Sequence, residues 1–108
     1  MKEKRKNQRL WIKFPLLCYC LKSRDVFYST FENISIGGMC LDVDRLLSLN
    51  ELIKFKIGFP EKTIRCEGKI VWQKYPPDSE DKKAGVEFTY LESQNRDYIA
   101  DFISEREQ

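Results

Sequence analysis

The sequence contains no histidine, and this absence removes several classes of function at once. Without an imidazole, the chain has neither a histidine-activated nucleophile nor a histidine metal ligand. It also lacks a glycine-rich phosphate loop, and its carboxylates are scattered rather than arranged as an acid–base pair. We therefore expect a protein that is not an enzyme and that holds no metal and no cofactor.

Paired cysteine motifs and long apolar runs are also missing. The four cysteines include no Cys-x-x-Cys pair, so we expect buried, reduced thiols rather than a zinc site. No apolar run reaches the ~20 residues that span a bilayer. The basic start of the chain is not followed by the apolar stretch and cleavage site of a signal peptide. These absences predict a cytoplasmic protein without a membrane segment.

Positive charge is concentrated at the amino terminus. Residues 1–13 carry six Lys or Arg and a single Glu, a net charge of +5, whereas the whole chain carries only +2. The rest of the chain is therefore mildly acidic. Such a basic segment indicates an anionic partner, although a solvated tail would have the same composition.

The pattern that the sequence does contain is period-two alternation, which is typical of half-buried β-strands. It is clearest in residues 52–59, whose apolar members are Ile53, Phe55, Ile57 and Phe59. Residues 62–74 follow after a short turn, which predicts a hairpin. The side chains expected to face the core there are Ile64, Cys66, Ile70 and Trp72. Further strands are predicted at residues 10–22, 25–34, 39–43 and 83–90.

From Ser93 the apolar spacing becomes that of a helix. Six short antiparallel strands leave exposed edges unless the sheet closes. We therefore expect a mainly all-β protein, a six-stranded antiparallel β-barrel with one C-terminal α-helix that covers an open end or an outer apolar patch. Residues 1–9 form a basic N-terminal arm in this interpretation, and residues 10–108 form the barrel and the helix.

Two short polar clusters stand out from the alternation. The first is Arg5-x-x-x-Arg9, and the second is Asn33-x-Ser35-x-Gly37-Gly38, between two predicted strands. Taken singly, the first is a charged tail and the second a turn in which glycine supplies a positive φ. Together, and in this order, they resemble the two-part signature of the PilZ domain family.

The resemblance continues along the chain. A strand that ends in Gly68-Lys-Ile-Val-Trp72, a strand that contains Gly85-Val-Glu-Phe88, and a terminal helix follow in the order found in PilZ domains. The resemblance implies a PilZ-type β-barrel whose usual ligand is cyclic di-GMP. It places these residues at the ligand: Arg5, Arg9, Asn33, Ser35, Gly37 and Gly38.

Two further residues are possible ligand contacts. Lys4 stands where many members of the family have another Arg, and it is suited to a phosphate. Trp72 is suited to stacking on a base, although its strand position favours the core. The other aromatic residues of the first two strands are expected to pack inside; they are Trp11, Phe14, Phe27 and Tyr28.

These residue types suit a molecule with two guanines and two phosphates. The planar fork of Arg can read guanine O6 and N7 or pair with phosphate oxygens. Asn33 and Ser35 are two positions apart on an extended chain, so they share a face. The family more often has Asp at position 33, and we expect the uncharged Asn to lower the affinity.

Three functions follow from this reading. The first is a cyclic di-GMP receptor in bacterial second-messenger signalling, in which the ligand orders the arm against the barrel and a downstream protein partner responds. The second is an adaptor of the same fold that binds no nucleotide and acts through protein partners, but such family members lack the two motifs. The third is an OB-like barrel that binds oligonucleotides, which would interleave basic and aromatic residues on its strands. Nucleic acid is the least favoured partner, because the basic charge lies in the arm.

Overall fold

A computed structural model of the chain describes residues 9–77 and 81–106. These residues form six β-strands followed by one α-helix. The strands are β1 (Leu10–Cys20), β2 (Val26–Ile34), β3 (Gly38–Val43), β4 (Leu52–Gly58), β5 (Thr63–Lys74) and β6 (Lys82–Tyr90), and the helix is α1 (Ser93–Arg106). Every strand predicted from the alternation is present, with ends that differ by two residues at most.

The strands close into one antiparallel barrel in the order β1-β2-β3-β6-β5-β4. Four of the six pairings join strands that are consecutive in sequence, including the predicted hairpin of β4 and β5. The pairings of β3 with β6 and of β1 with β4 join segments that are distant in sequence. Closure gives each strand two neighbours, which solves the edge problem that motivated the barrel prediction. The six-stranded antiparallel barrel with a C-terminal helix is confirmed.

The core is built from the inward face of each strand. In β4 the apolar side chains are buried and the two lysines between them are exposed. The thiols of Cys18, Cys20 and Cys66 lie in the same core and are free. Burial raises the pKa of Cys20 to about 11 and that of Cys66 to about 12. These three cysteines therefore remain protonated and act as small apolar groups, as predicted.

Helix α1 covers the end of the barrel where β1 begins and β4 ends. The Phe102 ring meets those of Phe14 and Phe59 edge to face, at centroid distances of 5.6 and 5.1 Å. Phe14 in turn contacts the buried ring of Phe31 at 5.7 Å. The helix therefore caps the core rather than an outer patch. Over the described ranges, α1 included, no helix is long and apolar enough to cross a membrane.

Strand β2 contains one residue more than its neighbour β3 can pair. Phe31 pairs with Leu41 and Asn33 pairs with the adjacent Cys40, so Glu32 is the extra residue of a β-bulge. A bulge shifts the alternation by one position. Before Glu32, the core-facing side chains of β2 are therefore at odd-numbered positions (Phe27 and Phe31), and after it the core-facing residue is the even-numbered Ile34.

Strand β5 contains a second bulge near its end. Ile70 pairs with Val86 and Trp72 with Gly85, so Val71 is the extra residue. The prediction that Trp72 faces the core, which rested on uninterrupted alternation, is wrong. Its side chain lies on the outside of the barrel and is 44% exposed.

Two other aromatic residues also lie outside, against prediction. Tyr28 is 79% exposed, because it follows the buried Phe27 and a strand turns adjacent side chains to opposite faces. Trp11 is 63% exposed and precedes an irregularity in the pairing of β1 with β2. Phe14 and Phe27 pack against or within the core as expected.

Candidate functional site

A groove of about 770 Å³ lies on the outer surface of the barrel and crosses five strands. Its floor follows a single row of cross-strand partners, in the order Trp11, Asn33, Cys40, Gly85 and Trp72. All five line the groove. Neighbouring strands lie ~4.8 Å apart, so the row runs for roughly 19 Å around the barrel.

The groove has a flat middle and an aromatic residue at each end. Gly85 presents no side chain, and the indole of Trp72 lies over it so closely that a Cβ at Gly85 would overlap Nε1. Trp11 stands at the other end of the row. Exposed indole faces at both ends of a flat floor provide stacking surfaces for planar rings.

Cys40 differs from the other three cysteines, because it lies outside the core cluster. Its Sγ is 4.0 Å from Glu32 Oε1, on the groove side of β3. Burial and the neighbouring carboxylate of Glu32 raise the pKa of this thiol. Cys40 is therefore a small, protonated part of the groove floor.

The turn between β2 and β3 forms one rim of the groove. The backbone N–H of Ser35 donates to the carbonyl O of Gly38 at 2.8 Å, and that of Gly37 donates to Ser35 Oγ at 3.1 Å. All five glycines lie in the described residues and none has a positive φ, so the expected left-handed conformation is wrong. Gly38 is instead a close-approach position, since a Cβ there would overlap the carbonyl O of Val86 in β6.

Arg9 and Asn33 join the two polar clusters. Arg9 Nη1 donates to Asn33 Oδ1 at 2.7 Å, across 24 positions in sequence. The next residue, Leu10, opens β1 opposite Ile34, the last residue of β2. This pairing brings the end of the predicted arm to the β2–β3 rim.

Five of the site residues predicted from the sequence line the groove: Arg9, Asn33, Ser35, Gly37 and Trp72. Gly38 lies in the same turn and serves the packing of β3 on β6. Arg5 and Lys4 are outside the described residues.

Ion pairs connect the groove to the neighbouring surface of β3. Lys83 Nζ lies 2.8 Å from Glu32 Oε1 and 2.9 Å from Asp42 Oδ1. Side-chain hydrogen bonds to Glu32 and then to Asp42 raise the pKa of Lys83. Burial acts in the opposite direction on Asp42, yet hydrogen bonds from Lys83 and Lys13 lower its pKa overall. The lowered pKa of Asp42 and the raised pKa of Lys83 both favour the charged forms of this pair.

Several groove residues were not predicted from the sequence; they include Trp11, Glu32, Cys40, Lys74, Lys83 and Glu87. For Lys83 and Glu87, exposure followed from the alternation, but the convergence of the strands that carry them did not. The other four depended on bulges or on an assumed place in the core. In the described part of the chain, no three Cys, Asp or Glu side chains come together as metal ligands.

Comparison with protein families matches the PilZ domain model to residues 3–105. A search of curated protein sequences finds no match. Structures of PilZ proteins superpose well despite low identity. The Bacillus subtilis inhibitor of motility (MotI/DgrA) gives a TM-score of 0.85 at 17% identity, over 98% of this chain and 52% of that protein.

Two similar structures are complexes with c-di-GMP. The PilZ domain with c-di-GMP of YcgR from Escherichia coli gives a TM-score of 0.74 at 11% identity, over 97% of this chain and 94% of that one. The MrkH–c-di-GMP complex of K. pneumonia gives 0.78 at 16% identity, over 99% and 57%. This chain thus spans about half the length of MotI/DgrA and MrkH, and at these identities the likeness is one of fold.

Proposed function

We propose that this chain, which belongs to the PilZ domain family, is a receptor that binds cyclic di-GMP in the groove between Trp11 and Trp72. The observation that carries the proposal is the hydrogen bond from Arg9 to Asn33. It joins the two separated halves of the family signature at the rim of a groove with exposed aromatic ends.

The groove offers a partner for each part of the ligand. The indoles of Trp11 and Trp72 are surfaces for guanine rings, and the planar guanidinium of Arg9 is suited to guanine O6 and N7 or to phosphate. Lys74 lies directly opposite Lys83 in the ladder of β5 and β6. The Lys83 ammonium is already paired with Glu32 and Asp42, so Lys74 is the cation of this pair that is suited to a phosphate of the ligand.

Arg5 and Lys4 are proposed to reach the ligand from the arm. Arg5 is four residues before Arg9, so its backbone lies within ~14 Å of the rim even when the chain is fully extended. One ligand that contacts both the arm and the groove would order residues 1–8 against the barrel. That change of surface is the signal proposed for a downstream protein partner in the bacterial cytoplasm, and no catalysis is involved.

Arm ordering is tested by amide hydrogen exchange. Amides of residues 4–8, which precede the described residues, are expected to exchange rapidly in the free protein and to gain protection with cyclic di-GMP, because the bound ligand holds Arg5. Equal protection in both states would contradict the ordering of the arm. It would leave nucleotide binding itself untouched.

Calorimetric titration of the full chain tests the ligand. Cyclic di-GMP is expected to bind with a micromolar or lower Kd, and cyclic di-AMP, GMP and a single-stranded oligonucleotide much more weakly. Adenine presents a donor where guanine O6 accepts, so it does not suit the Arg fork. Absence of binding to all four would favour the adaptor that acts without a nucleotide. Preference for the oligonucleotide would favour a nucleic-acid-binding barrel.

A further inference from the structure

The bulge in β2 turns two consecutive polar side chains into the groove. Phe31 and Ile34 both lie in the core although they are three positions apart, which strict alternation does not allow. Glu32 and Asn33 between them both line the groove. The bulge therefore adds a carboxylate beside the asparagine of the family signature.

Glu32 has acceptor capacity that Asn33 lacks. The Asn33 amide has a single oxygen with two lone pairs; one accepts the hydrogen bond from Arg9, so only one is left for a guanine edge that presents two donors. The carboxylate of Glu32 has two oxygens. In the described residues, its polar contacts to Lys83 and Cys40 both involve Oε1. Oε2 therefore keeps its acceptor sites for a ligand.

The environment also keeps Glu32 in place. Its side chain is 24% exposed, and the ion pair with Lys83 Nζ at 2.8 Å fixes the carboxylate. The ammonium group offsets the negative charge, so a phosphate in the same groove is not repelled by an isolated carboxylate. Glu32 is thus a partly buried acceptor whose position is fixed by an ion pair.

We propose that Glu32 determines the guanine specificity of the groove, by accepting hydrogen bonds from N1–H and the 2-amino group of one guanine of cyclic di-GMP. This inference rests on the proposed function. Hydrogen bonds to an ionised acceptor are roughly twice as strong as neutral ones. Adenine has a lone pair at N1 and no 2-amino group, so a carboxylate at this edge repels adenine where it attracts guanine.

Glu87 provides a matched control. It also lines the groove, but it lies on β6 opposite Gly38, towards the β2–β3 rim. Its side chain is 60% exposed, and its Oε1 lies 3.9 Å from Lys69 Nζ. A change of Glu87 to Gln removes the same charge from the same groove without removing the proposed contact.

The test is a thermodynamic cycle between Glu32 and the 2-amino group of the ligand. Cyclic di-GMP and cyclic di-IMP, which lacks that amino group, are titrated into the wild-type chain, Glu32→Gln and Glu87→Gln. We expect Glu32→Gln to weaken cyclic di-GMP binding about tenfold and cyclic di-IMP binding about threefold, because both ligands lose the contact at N1–H and only cyclic di-GMP loses the contact at the 2-amino group. Glu87→Gln should change both affinities equally and by no more than about twofold.

Each other outcome overturns the inference in a recognisable way. Unchanged binding by Glu32→Gln would show that guanine is read elsewhere, while the proposed function stands. An equal change in affinity for both ligands would show that Glu32 acts on binding only through its charge. If the wild-type chain binds neither ligand, the proposed function fails and the inference fails with it. Thermal melting checks the fold; if Glu32→Gln is unfolded, Glu32→Asp retracts the carboxylate by one methylene and should give the same selective loss for cyclic di-GMP.

Discussion

The side of the barrel formed by β4 differs from the groove side in the regularity of its strands. From Leu52 to Gly58, β4 pairs with β5 without interruption, and its side chains alternate between core and solvent. On the groove side, β2 has an extra residue at Glu32 and β5 an extra residue at Val71. The regular side contributes core packing, whereas the bulges turn polar and aromatic side chains outward beside one another. The candidate site therefore lies where the alternation is broken.

The charges of the two sides differ as well. On the regular side, Lys54, Lys56 and Arg65 point outward, and none of them forms an ion pair within the described residues. On the groove side, Lys83 connects Glu32 and Asp42. Substitutions that remove a charge on the regular side should therefore hardly change stability or binding. Those on the groove side should change ligand binding or the pH dependence of stability.

The largest effect is expected from Phe55→Ala on the regular side. The ring of Phe55 is buried in the core, and its loss should cost about 3–5 kcal/mol of unfolding free energy. Urea unfolding measures this change. The exposed neighbour Lys56→Ala is the control and should stay within about 0.5 kcal/mol of the wild type. Similar losses for both would show that the alternation of β4 does not separate core from surface.

A smaller effect, on binding rather than stability, is expected from Arg9→Ala. Removing a charge-assisted donor from the rim should cost about 1.5–3 kcal/mol of binding free energy for cyclic di-GMP. Calorimetry measures the affinity, and the unfolding curve should hardly change. Lys54→Ala removes the same charge from the opposite side and should leave binding intact. Equal losses would mean that only net charge attracts the ligand.

Gly85→Ala tests the flat floor of the groove. Its Cβ would overlap the indole of Trp72, so we expect displacement of the ring, a cost of about 1–3 kcal/mol in stability, and weaker ligand binding. A shift in tryptophan emission reports the displacement. Gly58→Ala in β4 is the control, since the nearest atom to its Cβ would be the carbonyl O of Pro15 at 3.8 Å. An unchanged emission spectrum in Gly85→Ala would contradict the stacked arrangement.

The smallest effect concerns the pH dependence of stability. Hydrogen bonds from Lys83 and Lys13 lower the pKa of Asp42 in the folded chain, although burial opposes them. The stabilisation is therefore present above the pKa of the unfolded state and is lost as the pH falls through the lower, folded value. Asp42→Asn should remove this part of the acid dependence, by less than about 1 kcal/mol for a partly exposed pair. The control variant Asp101→Asn in α1 should leave the acid dependence of stability unchanged. If acid-unfolding curves showed the same loss of acid dependence in both variants, a specific role of Asp42 would be excluded.

Regular elements were predictable because their signal is local. The alternation in β4 and the helical spacing of Ile99, Phe102 and Ile103 follow from side-chain burial within one element, and the structure agrees with both. Trp72 was predicted on the wrong face of its strand, because the amino-acid composition of a strand does not reveal the extra residue of a bulge. The polar motifs were visible as residue types, but the sequence did not indicate that Arg9 bonds to Asn33 or that Glu32 shares their groove.

By itself, the sequence determined the six strands, the helix and the two polar motifs, because periodicity and motif spacing are properties of neighbouring residues. Only the tertiary structure decided which strands meet around the groove and which side chains line it. The row from Trp11 to Trp72 requires β1 to pair with β2 and β3 with β6, and its outward side chains depend on two bulges. Pairing between distant strands sets the register, and the register places a side chain inside or outside the barrel.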